Sequence, residues 1–310
     1  MSAGPAPLYS ERIALRRQLW WKGGGAAEHD RSACRRPLPC DPATGRGPRA
    51  DDPAWHCCRH WQRKLSNKWN ARLFAAAHGV AVPALLWHGR DVDALPWDAL
   101  PERFVIKPNL GEANRGVLVM DHGRELLRGL RLPRVLLPAY LRRVLARGDR
   151  DRRGHAAGAP PVTELLIEEL VRDAGGGDGV PDAYKLHVFG GKVLFINVQR
   201  RTRAARWPFR TGAAARSYHH PDWSLLDAPP VADARQDPDW RPPPGADALI
   251  EAAERLGQAY GTYVRVDLFL SAAGPVFGEF SPTSGLRGGF LPAADRWLGD
   301  VWQRQIPDAV

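Results

Sequence analysis

The chain has 310 residues, of which 44% are hydrophobic and 25% charged, an ordinary composition for a globular protein with a sizeable core. No apolar stretch approaches the ~20 residues of a membrane-spanning helix and no secretory signal is recognised, so we expect a cytoplasmic protein. The net charge of +10 is explained equally well by nucleic-acid binding and by an anionic substrate, and because no nucleic-acid-binding motif accompanies it, we expect no nucleic-acid partner.

The N-terminal segment, residues 1–62, is rich in glycine, proline, arginine and tryptophan, and its weak periodicity predicts a partly irregular structure. All the cysteines of the chain lie here, close to three histidines, and thiolate and imidazole are the usual ligands of zinc. No C-x-x-C pair occurs, so a zinc site and reduced thiols stay open as alternatives. The residues concerned are Cys34, Cys40, Cys57 and Cys58, with His29, His56 and His60.

A helix is predicted over residues 65–78, "LSNKWNARLFAAAH". Ser66 or Asn67 can cap its N-terminus, since both side chains accept hydrogen bonds from the first free N–H groups. Its apolar residues recur at helical spacing, and Gly79 is a typical residue beyond a helix end. The following residues, 80–89, are predicted to contain a strand.

The next stretch, "FVIKPNLGEANRGVLVM" at residues 104–120, places a lysine and a glycine-containing loop between two short strands. Glycine lets backbone N–H groups approach an anion, and the ammonium of Lys107 supplies charge, so the pattern indicates phosphate binding. The alternative is a plain hairpin with a surface lysine. The stretch contains neither the G-x-x-x-x-G-K-[ST] loop nor the dinucleotide-binding fingerprint.

The middle of the chain is predicted to contain two short helices, at residues 123–132 and 137–147, followed by a basic, glycine-rich insertion up to residue 161. A strand follows at residues 163–171. Residues 184–201 then read as a β-hairpin with Gly190 and Gly191 at its turn.

The last third is predicted to form a proline-rich loop at 227–245, a helix at 246–261 and a second hairpin, with strands at 262–270 and 275–280. Helices that alternate with antiparallel hairpins, without repeating βαβ units, predict an α+β fold.

This second hairpin carries three charged residues. Arg265 and Asp267 are two apart and share one face of a strand, and Glu279 on the return strand can lie opposite Asp267. Two opposed carboxylates repel each other unless a cation lies between them. Mg²⁺, which prefers oxygen ligands, would fill that position. The alternative is an ordinary surface ion pair between Arg265 and one of the carboxylates.

Taken together, six segments resemble the TupA-like branch of the ATP-grasp superfamily. In chain order they are "NKWNARLF", "LPERFVIKPNLGEANRGV", "LLIEELV", "DAYKLHVFGGKVLFI", "SYHHPDW" and "RVDLFL" with "VFGEFSP". The resemblance covers residues 63–300 and implies an ATP-grasp fold, in which two α+β subdomains built on antiparallel hairpins clamp the nucleotide. We therefore expect an N-terminal segment at 1–62, a lid subdomain with the phosphate loop at 63–170 and a C-terminal subdomain with the metal site at 171–310.

The resemblance also implies roles for individual residues, with ATP and Mg²⁺ as cofactors. In it, Glu168 accepts the adenine amino group, residues 169–171 pair with the adenine edge, and Asp182 is a candidate for the ribose hydroxyls. Arg265 and Lys185 are the expected catalytic residues. The metal ligands are expected to be Asp267, Glu279 and Ser281. The expected nucleotide-binding residues are Lys68, Arg72, Lys107, Gly111, Gly116, Glu168, Glu169, Leu170, Val171, Asp182 and Lys185.

The sequence departs from the family pattern at two places. Many ATP-grasp enzymes have Glu-x-Asn at the metal site, whereas this chain has Glu279, Phe280 and Ser281. A serine hydroxyl is a weaker ligand than an amide oxygen, so a water molecule is expected to replace it readily. The first 62 residues also lack the regular strands and helices of the usual preceding domain.

The reaction implied by the resemblance is carboxylate–amine ligation. The γ-phosphoryl group of ATP activates the carboxylate of an amino acid or peptide as an acylphosphate, and an amine displaces the phosphate, in the assembly of a cell-surface polymer or a peptide natural product. Arg200, Arg201 and Arg203 could hold the substrate carboxylate, although such a charge run could also be a solvated loop. An ATP-grasp small-molecule kinase and a non-catalytic basic binding protein are the alternatives.

Overall fold

The computed structural model of the chain describes residues 6–22, 36–41, 46–56, 58–111, 114–153, 163–176, 179–201, 214–285 and 289–308. Within these residues, α-helices accompany two antiparallel sheets. The helices are α1 (Tyr9–Arg17), α2 (Lys68–Ala77), α3 (Leu137–Arg153), α4 (Asp247–Tyr260) and α5 (Pro292–Gln305). No helix in the described part of the chain combines the length and the apolar character that crossing a membrane demands.

The first sheet has six strands in the order β1-β6-β2-β3-β4-β5. Their bounds are β1 (Leu85–Gly89), β2 (Arg103–Pro108), β3 (Leu118–Asp121), β4 (Arg124–Glu125), β5 (Leu130–Arg131) and β6 (Leu165–Glu169). Alternate residues of β2 are buried, as the two-residue period of a strand requires. Phe104 and Ile106 of β2 pack with Leu137 and Leu141 of α3, so α3 covers one face of this sheet.

The second sheet has five strands in the order β11-β10-β7-β8-β9. Their bounds are β7 (Ala183–Phe189), β8 (Lys192–Arg201), β9 (Ala214–His219), β10 (Val264–Ser271) and β11 (Gly274–Ser281). Leu186 and Val266, on one face, share a hydrophobic cluster with Leu249 and Leu256 of α4. The opposite face carries Arg265, Asp267 and their neighbours, because successive side chains of a strand alternate between faces.

Part of that opposite face is covered by the two terminal helices of the described chain. Phe195 of β8 and Tyr263, just before β10, share a cluster with Tyr9 of α1 and with Leu298 and Trp302 of α5. The helices α1 and α5 are joined by two hydrogen bonds, in which the backbone N–H and the hydroxyl of one serine of α1 donate to a carboxylate of α5. The end of the sheet beside this cluster is where the charged residues of β10 and β11 lie.

The predicted α+β fold with antiparallel hairpins is confirmed. Asn67 caps α2, since its side chain accepts a hydrogen bond from the backbone N–H of Trp69. The hairpin of β2 and β3, the strand β6, the hairpin of β7 and β8 and the hairpin of β10 and β11 all lie where the sequence predicts them.

The helix predicted over residues 123–132 is wrong, because this stretch forms β4, a turn and β5. The carboxylate of Glu125, which is 1% exposed, accepts hydrogen bonds from the backbone N–H groups of Val119, Leu127 and Arg128. A helix over residues 123–132 would use the N–H groups of Leu127 and Arg128 itself, so the buried acceptor favours the turn. Gly129 completes it with a left-handed φ of 70°.

Other elements differ from expectation in extent or were missed. Helix α3 continues to Arg153, beyond the predicted end at residue 147. Helix α1 lies within the segment whose periodicity is weak, and neither β9 nor α5 follows from the sequence patterns described above.

Candidate functional site

Helix α2 connects the two sheets. The backbone N–H of Lys68 donates to the carbonyl oxygen of Asn109, 2.6 Å away, in the loop after β2. Further along α2, Phe74 packs edge to face against Phe280 of β11, with 6.0 Å between ring centroids. Lys68 and Arg72 are four residues apart and therefore lie on the same side of the helix.

The side chain of Lys68 reaches both sheets. Its Nζ donates to the carbonyl oxygen of Gly111, 2.9 Å away in the predicted phosphate loop, and lies 3.7 Å from Oε2 of Glu279 on β11. The N-cap at Asn67 and the backbone hydrogen bond from Lys68 to Asn109 fix the start of α2. The ammonium of Lys68 is therefore held where the loop after β2 meets the hairpin of β10 and β11.

The carboxylate of Glu168 in β6 pairs with two cations, Arg72 of α2 and Lys107 of β2. Its Oε1 accepts from Nη1 of Arg72 at 2.9 Å, and its Oε2 lies 2.6 Å from Nζ of Lys107. Glu168 is opposite Val105 in the register, so Lys107 is its diagonal neighbour on the next strand. The carboxylate is 2% exposed, and a carboxylate buried to this extent needs such partners.

The charged residues of the second sheet form a row across three strands. Asp267 is directly opposite Glu279 of β11 on one side and Lys185 of β7 on the other. Arg265 binds Asp267 with two hydrogen bonds, from Nε at 2.6 Å and from Nη2 at 2.7 Å. Nζ of Lys185 lies 3.2 Å from the same carboxylate. The ion pair foreseen as an alternative therefore exists, but Asp267 is 6% exposed, so the pair is not a surface one.

The charges of this row set the ionisation of its members. Burial alone would raise the pKa of the Asp267 carboxyl, but Arg265 and Lys185 hold that pKa below its ordinary value. His187, opposite Arg265 on β7, behaves in the other direction. Burial and then the charge of Arg265 lower the pKa of His187 well below its ordinary value, so its imidazole is neutral, with Nδ1 3.0 Å from the hydroxyl of Tyr263.

Two serines orient the guanidinium of Arg265. Its Nη2 donates to Oγ of Ser281 at 2.8 Å and its Nη1 donates to Oγ of Ser284 at 3.0 Å. Ser281 was expected as a metal ligand, and here its hydroxyl oxygen accepts from Arg265. Ser284 and His187 are site residues that the sequence reasoning missed. Ser284 carries no motif signal, whereas His187 could have been found, because it is two residues from Lys185 and so on the same strand face.

The donor set of the hairpin fits Mg²⁺ bound together with phosphate. Asp267 and Glu279 offer carboxylate oxygens on adjacent strands, and Nη2 of Arg265 lies 2.7 Å from one and 3.7 Å from the other, so a cation already stands between them. Among the described residues there is no group of three or more His, Cys, Asp or Glu side chains that could hold a metal by itself. Mg²⁺ usually takes one or two carboxylates and completes its shell with phosphate oxygens and water.

The predicted phosphate loop has one described glycine on each side of residues 112–113, Gly111 before and Gly116 after, while residues 112–113 themselves lie outside the described chain. Gly111 supplies the carbonyl that Lys68 binds. Gly116 has a left-handed φ of 77°, and a Cβ there would lie 2.8 Å from Cγ1 of Val144 in α3. Glycine is therefore required for the loop to return beneath α3.

The expected connector begins with the last residue of β6, and the expected ribose residue lies further along the chain. Glu169 is exposed, Leu170 is 4% exposed and Val171 is half-buried. Asp182 lies just before β7. Burial, and then the neighbouring charge of Asp173, raise the pKa of its carboxyl to about 6, and Arg200 opposes the shift.

The expected substrate arginines and the cysteines lie apart from the row of charges or outside the described residues. Arg200 forms an ion pair with Asp237, while the side chain of Arg201 and all of Arg203 are outside the described residues. Of the possible zinc ligands, Cys34, Cys57 and His29 also fall outside them. Of the described cysteines, Cys40 is half-buried, and the sulfur of Cys58 accepts a hydrogen bond from Nη2 of Arg63, 3.7 Å away.

Residues 61–303 match the protein-family model described as TupA-like ATPgrasp. No curated protein matches the chain. Solved structures that it resembles include the D-Ala:D-Ser ligase VanG from Enterococcus faecalis (15% identity, 80% of this chain covered, TM-score 0.47). They also include a D-alanine–D-alanine ligase from Bacillus anthracis (17%, 79%, 0.48) and an L-amino acid ligase from Bacillus licheniformis (16%, 72%, 0.45). The chain spans 63%, 66% and 44% of these proteins, which is less than two thirds of each.

Proposed function

This chain belongs to the TupA-like ATP-grasp family, and we propose that it is an ATP-dependent ligase that joins a carboxylate to an amine and releases ADP and phosphate. The observation that carries the proposal is the row of Glu279, Asp267 and Lys185 across three strands, with Arg265 beside it and Lys68 reaching over from α2. We further propose that the substrates are amino acids or peptides and that the enzyme acts in the cytoplasm.

The charge balance of the site supports a polyanionic substrate. Five basic side chains contact three carboxylates there, which leaves two positive charges in excess. The basic residues are Lys68, Arg72, Lys107, Lys185 and Arg265, and the carboxylates are Glu168, Asp267 and Glu279. All these contacts lie in partly or fully buried surroundings, where charges interact more strongly than in water. Together with the charge of Mg²⁺, this excess would balance a triphosphate.

In the proposed reaction, Lys68 and Lys107 hold the phosphates at the mouth of the loop between β2 and β3. Asp267 and Glu279 would hold Mg²⁺, whose charge neutralises phosphate oxygens when it is bound. Arg265 and Lys185, fixed by Asp267, stabilise the charge on the phosphoryl group during its transfer. Asp267 already holds these two cations beside the hairpin, which lowers the cost of positioning them.

The proposed reaction consists of two displacement steps. A carboxylate oxygen of the first substrate attacks the γ-phosphorus, and the bond from that phosphorus to the bridging oxygen breaks, which gives an acylphosphate and ADP. The amine nitrogen of the second substrate then attacks the acyl carbon. The tetrahedral intermediate expels phosphate and the nitrogen loses a proton. The oxyanion of that intermediate is again a charge that Arg265 can stabilise.

The remaining expected residues complete the proposal. Glu168 and the backbone of residues 169–171 would receive the adenine, and Asp182 the ribose hydroxyls. The arginines at 200, 201 and 203 would meet the substrate carboxylate, where Arg200 would exchange its ion pair with Asp237. Paired planar donors suit a carboxylate better than a lysine does.

A screen of amino acids for amine-dependent ADP release tests the proposal. The purified chain is incubated with Mg-ATP, one amino acid as acyl donor and one as amine, and the nucleotides are separated by chromatography. Ligation predicts ADP and phosphate in equal amounts, both dependent on the amine. A phosphorylated product without amine incorporation would indicate a kinase, stoichiometric AMP would exclude the acylphosphate route, and the absence of any ATP turnover would favour a binding protein.

A further inference from the structure

Helix α1 lies outside the residues that match the family, which begin at residue 61, yet two of its side chains reach the charged hairpin. Arg16 is 0% exposed and Tyr9 is 1% exposed. Both point from α1 towards the segment that follows β11 and carries Ser284. The helix is therefore a part of the site that family membership does not account for.

The guanidinium of Arg16 joins the two ends of the hairpin. Its Nη1 donates to the carbonyl oxygen of Tyr263, 2.7 Å away, and to that of Pro282 at 3.0 Å. Its Nη2 donates to Oγ1 of Thr262 at 2.8 Å. Tyr263 is the residue before β10 and Pro282 is the residue after β11. A single cation thus fixes where the first strand of the hairpin begins and where the second one ends.

Tyr9 holds the same turn two residues further on. Its hydroxyl donates to the carbonyl oxygen of Ser284 at 2.7 Å. The side chain of Ser284 accepts a hydrogen bond from Arg265, whose guanidinium binds Asp267. A continuous series of contacts therefore runs from Tyr9 through the backbone and side chain of Ser284 to Arg265 and the buried carboxylate.

The chemistry of Arg16 argues against a role in packing alone. Among the described residues its hydrogen-bond partners are carbonyl and hydroxyl oxygens, not a carboxylate. Aromatic rings cover it, with the guanidinium carbon 4.8 Å from the ring centroid of Trp20 and 4.6 Å from that of Trp302. Burial lowers its pKa to about 10, so it is still a cation at neutral pH. A buried cation is costly, and an apolar side chain would fill the space with less cost.

We propose that Arg16 and Tyr9 are positioning residues, which fix the turn after β11 so that Ser284 and Ser281 hold Arg265 in the orientation the reaction requires. The inference rests on the proposed function for its catalytic consequence. Its structural part, that α1 orders Arg265, stands on the contacts described above.

The test uses Tyr9→Phe, which keeps the ring and removes only the hydroxyl, and Arg16→Gln, which keeps a donor but loses the charge and the reach of the guanidinium. Ile13→Ala is the matched control, because Ile13 is equally buried in α1, at 1% exposure, within the same hydrophobic cluster. The control loosens the packing of α1 without removing a polar contact. Thermal unfolding is measured for each variant.

The first readout is the hydrogen-exchange rate of the Arg265 Nε–H group in a ¹⁵N NMR spectrum, assigned with Arg265→Lys. This N–H donates to Asp267. We expect its exchange to be at least about fivefold faster in Tyr9→Phe and in Arg16→Gln and unchanged in Ile13→Ala, since a donor in a poorly held hydrogen bond is open more often. Unchanged exchange in Tyr9→Phe, or equal acceleration in Ile13→Ala, would overturn the inference whatever the activity of the protein.

The second readout is ADP release. We expect kcat to fall about 3- to 10-fold in Tyr9→Phe, the factor that corresponds to one lost hydrogen bond, with KM for Mg-ATP within about twofold of the wild type. Ile13→Ala should lower the unfolding temperature without this change in kcat. Because the exchange measurement needs no turnover, failure of the inference and failure of the proposed function give different results.

Discussion

Two buried carboxylates, Glu168 in the first sheet and Asp267 in the second, are each held by two cations, but they differ in what surrounds them. The cations of Glu168 come from a helix and a neighbouring strand, Arg72 and Lys107, so that carboxylate ties α2 to the sheet. The cations of Asp267 come from its own strand and the next one. Only Asp267 has a second carboxylate directly opposite, that of Glu279, whose side chain is 38% exposed.

This difference separates a structural anchor from a candidate metal site. Glu168 is directly opposite Leu85 and Val105 on the neighbouring strands, so a metal ion there would meet no opposed carboxylate. The pair of Asp267 and Glu279 has one carboxylate held in place and one accessible to solvent, which suits an ion that arrives together with phosphate. The burial of a carboxylate and its pairing with cations therefore do not identify a metal site by themselves. The opposed carboxylate of Glu279 is what makes Asp267 the better candidate.

The largest expected effect is the loss of either carboxylate of the hairpin. We predict that Asp267→Asn or Glu279→Gln lowers ADP release by at least about 100-fold, the scale of losing a strong electrostatic contact in a transition state. Ser281→Ala should cost about tenfold or less, because its neutral hydroxyl is replaceable by water. Steady-state rates across a Mg²⁺ titration measure both, with circular dichroism to confirm folding. Full activity in both carboxylate variants would reduce the pair to a structural ion-pair cluster.

The role of Lys107 is tested by nucleotide binding, whereas the roles of the two hairpin carboxylates are tested by turnover. Its ammonium lies at the end of β2, where the loop begins, and a phosphate there would form a charge-assisted contact. We predict that Lys107→Ala weakens Mg-ATP binding by one to two orders of magnitude, about 1.4 to 2.8 kcal/mol. Calorimetric titration measures this. Lys192→Ala is the control, since Lys192 pairs with Glu254 on the surface, and equal affinity in both variants would exclude the role of Lys107.

Local patterns were enough to predict much of both regions. The two-residue period of β2 and of β10 placed Lys107 at a strand end and Arg265 beside Asp267, and the hairpin register then opposed Glu279 to Asp267 as expected. The turn at Glu125 was mispredicted because leucines next to it imitate a helical spacing, while the deciding hydrogen bonds come from a buried side chain.

Contacts between distant parts of the sequence could not be predicted in this way. Arg16 meets Tyr263 across 247 positions of the chain, and Tyr9 meets Ser284 across 275. Neither residue lies in a motif, and a single arginine in an arginine-rich chain gives no sign that it will be buried. The pairing of Arg72 with Glu168 likewise depends on how α2 packs on the sheet, which periodicity does not specify.

The anchor role of Glu168 predicts an effect on stability. Glu168→Gln leaves Arg72 and Lys107 without a countercharge in a buried place, and we expect the free energy of unfolding to fall by about 2 kcal/mol. Glu169→Gln, the next residue on β6, is exposed and should change it by less than about 0.5 kcal/mol. Urea denaturation measures both variants. Equal stability of the two variants would mean that the ion pairs of Glu168 contribute no more than surface ones.

The smallest expected effect concerns Asp182, a partly buried carboxylate whose pKa is raised by burial and by another carboxylate, Asp173. Burial, and then the charge of Asp173, raise its pKa to about 6 in the folded chain, against about 3.9 in the unfolded chain. The folded state therefore binds this proton more tightly, so ionisation of Asp182 destabilises the fold as the pH rises through 6. The carboxyl of Asp267 has the opposite sign, because its lowered pKa gives stability that is present at neutral pH and is lost as the pH falls below about 4.

Replacing Asp182 by asparagine removes the cost of ionisation and keeps the size of the side chain. We expect Asp182→Asn to leave the free energy of unfolding nearly unchanged at pH 4 and to raise it by about 1 kcal/mol at pH 8, a value reduced for the solvent screening of a partly exposed group. Urea denaturation of both proteins at the two pH values measures the difference. A gain of equal size at pH 4 would show that asparagine improves local packing or hydrogen bonding, and no gain at pH 8 would show that Arg200 already neutralises Asp182. In the first case the effect of the substitution would rest on packing or hydrogen bonds and not on charge, and in the second case the charge of Arg200 would remove the contrast with Asp267.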